Sequence, residues 1–211
     1  MIIHDIKKLS EPPLWISECI HLMVDFGSHG HGTATENSDF DYFGFLIPPA
    51  EIILGTDFKS WRHFKIPYKN RLYDFSLFNI TEFLVHCQKI NPQFLGSLVV
   101  PEEHIYFCSP VGRLILDNRH LFLTKKITLS CLIRAEREFD MILFDRKEYE
   151  LKYLISQNYD TPISEYRETK HVYHFIRLMN EAYQIATNGT IDIQKASYLV
   201  PSVKAGEWSI N

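Results

Sequence analysis

From about residue 20 the chain alternates short apolar runs with loops of small and polar residues, a rhythm that predicts strands first and helices later. HLMVDF, residues 21–26, predicts a buried strand ending at Gly27. DFDYFGFLI, residues 39–47, predicts a second strand, closed by Pro48 and Pro49. RLYDFSLF, residues 71–78, alternates well enough for a third. Ahead of these, the first ten residues read as an arm, and Pro12 and Pro13 start a short helix through Trp15 and Cys19. Residues 50–70 carry no strong period and read as a connection.

Helices follow. Asn79 with Glu82 three residues on has the form of a capping box before ITEFLVHCQKI, which should stop near Asn91. Asn91 and Pro92 repeat a cap-then-proline signal for a second short helix. Longer helices are predicted from about Thr124 to Phe144 and from about Glu168 to Thr187, the last ending at Asn188 and Gly189. The expected class is α+β, passing to all-α after a boundary near residue 110.

Composition narrows the function classes. Of 211 residues, 45% are apolar and 23% charged, a globular balance, and the formal net charge of −4 provides no global field for nucleic acid. The N-terminus lacks the apolar core of a signal peptide, and no run of about 18 apolar residues could span a bilayer; a soluble cytoplasmic protein with no membrane partner is expected. Cys19, Cys87, Cys108 and Cys131 form no C-x-x-C pair and read as reduced, mostly buried small apolar residues.

The chemistry gathers in GSHGHGTATENSDFDYFG, residues 27–44. On a strand Asp39 and Asp41 face the same way, and two carboxylates that close call for a cation, with Mg²⁺ or Mn²⁺ suiting hard oxygen donors. Asp74 on the third strand can add another carboxylate. Gly27 and Ser28 stand where a strand gives way to a loop or helix start, which offers backbone N–H groups and a hydroxyl to a phosphate. Metal beside phosphate is what phosphoryl transfer requires. Taken alone, a D-x-D at a strand start is more often a solvated turn than a metal site, and the P-loop lysine is missing. His29 and His31 read as phosphate-facing or solvated, and no zinc is assigned. In the last predicted helix Lys170, His174, Arg177 and Glu181 form one polar stripe, opposite Val172, Ile176, Met179, Tyr183 and Ala186, a pattern equally that of a solvated helix face.

Taken together, G-S, a glycine-rich spacer, S-D-x-D and a third aspartate on an alternating strand resemble the DNA polymerase β-like nucleotidyltransferase superfamily, and more narrowly its RNA-repair-associated, RlaP-type group. RLYDFSLFNITEFL, NPQFLGSLVV and KHVYHFIRLMNEAYQIATNG resemble further family segments. TLSCLIRAEREFD, residues 128–140, departs from the family's Gly-Tyr-Ala pattern, so no substrate contact is assigned there.

The resemblance implies a mixed sheet with flanking helices as a catalytic domain over 1–110, and a helical domain over 111–211 that completes the nucleotide and acceptor cleft. It implies catalytic, metal-holding Asp39, Asp41 and Asp74, with Mg²⁺ or Mn²⁺ as cofactor and an NTP as substrate. Gly27 and Ser28 would meet the β- and γ-phosphates, Lys170 and Arg177 would grip the triphosphate, with His171 a weaker candidate, and Ser38 would belong to the nucleotide loop with His29, Gly32, Thr33 and Thr35. Thr35 and Ser38 can equally stabilise the turn itself. The implied reaction moves an NMP to an acceptor hydroxyl, an RNA end first and a protein hydroxyl as the alternative; a nucleotide-binding module without turnover stands third. Without a basic groove, single or short additions are expected rather than processive synthesis.

Overall fold

The strand that begins the sheet, β1 (Ile20–Phe26), follows directly on a short helix, α1 (Trp15–Cys19). Both belong to a computed structural model that describes residues 15–36, 38–55, 61–68, 71–156 and 165–195. The arm and the Pro12–Pro13 helix start lie outside the described residues. At Gly27 the chain enters a single helical turn, α2 (Gly27–Gly30), and returns as β2 (Phe40–Leu46), antiparallel to β1.

Residues 50–70 are not the plain connection that their weak period predicts. They hold a helical turn, α3 (Ala50–Ile53), and a strand, β3 (Trp61–Tyr68), paired antiparallel with β4 (Arg71–Asn79). β4 in turn lies parallel to β2. Beyond α4 (Ile80–Gln88) and α5 (Pro92–Ser97), residues 101–123, where the pattern predicts nothing, contain β5 (Ile105–Cys108) and α6 (Pro110–Asp117). The mixed sheet has the order β3-β4-β2-β1-β5.

The caps are the expected ones, with one difference. Asn79 Oδ1 accepts from Thr81 N–H at 2.8 Å and Asn91 Oδ1 from Gln93 N–H at 3.1 Å. Glu82 does not close a capping box; it pairs with His86 one turn on, at 3.1 Å.

Alternation sorts the sheet into two faces. Phe43 and Phe45 of β2 and Phe78 of β4 meet Phe83 of α4 and Phe94 of α5, in an aromatic core with ring centroids about 5 to 6 Å apart. The opposite face buries Met23, Tyr42, Leu46, Phe75 and Leu77 with Ile16 and Ile20. Burial pushes the Cys87 thiol up to about 12. All four cysteines are free, with Cys87 and Cys131 buried.

The chain divides into two compact units, Met1–Leu123 and Thr124–Asn211. The second is built on α7 (Lys126–Ser156) and α8 (Glu165–Asn188). Cys131 meets Glu181 and Glu138 meets His171, so the two helices run antiparallel. No helix among the described residues is long and apolar enough to cross a membrane.

Candidate active site

The first unit concentrates its chemistry where β1, β2 and β4 lie side by side. β2 pairs with β4 in a register that sets Asp41 against Asp74, and with β1 so that Phe26 lies opposite Asp41. Neighbouring strands stand about 4.8 Å apart, so the two carboxylates project from one face as near neighbours. It is the face that carries Phe43, Phe45 and Phe78 further along, so the acids stand at the edge of the aromatic core. Asp39 is exposed, one residue ahead of β2.

Gly27 joins these carboxylates to the loop. Its φ is +54°, and a Cβ on its inner side would overlap the Asp41 carboxylate. A glycine is thus required twice, by the left-handed backbone and by the approach of Asp41. The turn is closed by His31 N–H on Gly27 O at 3.2 Å and Thr33 N–H on Ser28 O at 2.8 Å, with the Thr33 hydroxyl on the same Ser28 oxygen at 3.3 Å.

The rest of the loop packs on itself. The Ser38 hydroxyl accepts from Thr35 N–H at 2.8 Å and lies 3.2 Å from the Thr35 hydroxyl, so it staples the turn. Neither loop histidine is simply solvated. His29 stacks on Phe40, with centroids 4.4 Å apart, and His31 is buried with its ring edge-on to Phe26 at 5.4 Å. Phe40 stacks in turn on Tyr73, and the Arg71 guanidinium lies over it at 5.3 Å.

Two side chains of β3, His63 and Lys65, complete the group. His63 Nε2 lies 2.7 Å from Asp74 Oδ1, and Lys65 Nζ lies 3.0 Å from Asp74 Oδ2. The Lys65 ammonium is held above its usual range, first by its hydrogen bond to Asp74 and then by that charge, with Asp39 and Asp41 adding smaller contributions. All three aspartates therefore act on one ammonium.

Among the described residues no three His, Cys, Asp or Glu side chains already form a metal-ligating group. The donor set nevertheless fits a hard divalent cation: carboxylates come from two adjacent strands and a glycine clears space at one of them. Asp39, Asp41 and Asp74 could hold it.

In the second unit the polar stripe of α8 is largely buried, not solvated. Glu181 is 3% exposed and Arg177 donates to its Oε1 at 2.6 Å, while Met179, Tyr183 and Ala186 of the expected apolar side are exposed. Leu178, Ala182 and Ile185 share the buried face. His171 Nδ1 pairs with Glu138 at 2.7 Å, and Lys170 is exposed. Burial, together with Arg177, Lys170, His171 and Arg134, pulls the His174 imidazole down to about 3. Burial and Glu181 push the Cys131 thiol up to about 12.

Comparison with known proteins returns a family described as the RNA repair pathway DNA polymerase beta family (RlaP), which matches residues 17–204. No curated protein matches. A crystal structure of a nucleotidyltransferase-like protein from Exiguobacterium sibiricum is similar at 11% identity with a TM-score of 0.37; the match covers 97% of this chain and 65% of that one.

Proposed function

This chain belongs to the RNA repair pathway DNA polymerase beta family, and on that premise we propose that it is a divalent-metal-dependent nucleotidyltransferase that moves an NMP from an NTP to the hydroxyl of an RNA end. The observation that carries the proposal is the register of Asp41 on Asp74 with the Gly27 turn against the Asp41 carboxylate.

In the proposed reaction the Gly27–Ser28 turn binds the β- and γ-phosphates through backbone N–H groups and the Ser28 hydroxyl. Asp39 and Asp41 would hold Mg²⁺ or Mn²⁺, with Asp74 completing the ligands and orienting the acceptor. The bound cation neutralises charge on the transferring group. The acceptor oxygen forms a bond to the α-phosphorus in line with the leaving group, and its proton passes to the surrounding carboxylates or water. The bond from the α-phosphorus to the bridging oxygen breaks, and pyrophosphate leaves with that electron pair. On α8 Arg177 pairs with the buried Glu181.

The test supplies each of the four α-³²P NTPs, with Mg²⁺ or Mn²⁺, to wild-type protein and Asp41→Asn in the presence of mixed RNA and cell protein. Label in RNA, lost in the variant, is the expected outcome. Asp41-dependent label in a protein band moves the acceptor to a protein hydroxyl, and no Asp41-dependent label on any macromolecule overturns the RNA assignment.

A further inference from the structure

The carboxylates assigned to metal meet a cation already present in the chain. Lys65 stands directly opposite Asp74 in the β3–β4 register, and its ammonium reaches Asp74 Oδ2 at 3.0 Å. His63, two residues earlier on the same face of β3, takes Oδ1 at 2.7 Å. Both oxygens of the third aspartate are therefore engaged. The strand that presents these side chains is anchored from its other face, where Phe64 stacks on Phe75 with centroids 4.8 Å apart and Ile66 packs on the same core. Lys65 is thus placed by the sheet, while its side chain remains half exposed, at 51% against 19% for Asp74.

Like charges on adjacent strands destabilise their pairing unless something compensates them. Asp41 and Asp74 are such a pair, and the ammonium sits directly on the Asp74 carboxylate, beside its neighbour on β2. A lysine suits this position because a compact point charge on a flexible stem can hold a carboxylate and then leave it, where an arginine fork would bind it in two places.

We propose that Lys65 is a positioning residue of the transfer site: its ammonium is the resident counter-ion of Asp74, which a divalent cation must displace, so that Lys65 sets the affinity of the aspartates for metal. This rests on the transferase assignment above and adds to it a residue from a segment whose pattern predicts no site.

Metal affinity tests it without any turnover. Mn²⁺ binding is measured from the electron paramagnetic resonance signal of the free ion, at one fixed pH, for wild-type protein, Asp41→Asn, Lys65→Met and Lys65→Arg. Expected is an Asp41-dependent site whose affinity rises in Lys65→Met by about fivefold, the scale of one exposed ion pair, and returns to the wild-type value or below in Lys65→Arg. Lys65→Gln replaces the methionine variant if a thermal melt shows that the latter has lost the native fold. An Asp41-dependent site with unchanged or weaker affinity in Lys65→Met overturns the role of Lys65 and leaves the transferase assignment standing. Equal Mn²⁺ binding by wild type and Asp41→Asn overturns both.

Discussion

At the scale of the residue, Gly27 carries the largest consequence for its size. Its positive φ costs any L side chain about 1–2 kcal/mol, and its missing Cβ leaves the space that the Asp41 carboxylate fills. Gly27→Ala should therefore lower the stability of the first unit by that modest amount while cutting nucleotide transfer by about 100-fold or more, because a displacement near 1 Å at a reacting group is enough for such a loss. A thermal melt beside a turnover assay measures both, and a loss of activity no greater than the loss of folded protein would refute it. The Gly27 turn and the strand positions of Asp41 and Asp74 were legible because their spacing is local, whereas Asp39, expected on the same strand, falls just ahead of β2. The position of Ser38 was legible but its bonds were not: a hydroxyl can face a phosphate or its own turn, and here it bonds Thr35.

Elements were legible where one periodicity dominated. β1, β2, β4, α4 and α5 fall within a few residues of their predicted places, and α7 and α8 extend beyond theirs. β3 was missed although His63-Phe64-Lys65-Ile66 does alternate, because the surrounding segment carries no clear pattern. With β3 went Lys65 and His63. α8 failed in the opposite sense, since polarity marked the buried face. Arg177 and Glu181 are tolerated there as a pair, and removing one partner of a buried pair typically costs about 3–5 kcal/mol. His174 on the same helix makes a pH prediction. Its pKa is depressed to about 3 in the fold and returns to about 6.5 in the unfolded chain, so between those values the unfolded state binds the extra proton. Its contribution is complete above pH 6.5 and is lost as the pH falls toward 3, at up to about 1.4 kcal/mol per pH unit. Denaturant melts across that range should show the slope in wild-type protein and a shallower one in His174→Leu; equal slopes would remove His174 as the cause.

At the scale of the whole molecule, membership of a polymerase β family meets a formal net charge of −4. Long templated synthesis requires many phosphate contacts and hence a basic groove. With an RNA acceptor the expected product is extended by one or a few nucleotides, seen as discrete bands on a denaturing gel, and a long ladder would contradict this. The sequence alone determined the α+β class, the Gly-Ser turn, the D-x-D pair and the family, because each depends on neighbours within a few residues or on a motif of fixed spacing. Only the tertiary structure decided that β2 and β4 run parallel with Asp41 beside Asp74, that Lys65 and His63 hold that aspartate, and that Arg177 points inward to Glu181. The physical reason is common to all three. Strand order, register and the buried side of a helix follow from the summed burial and pairing of distant segments, which no local pattern contains.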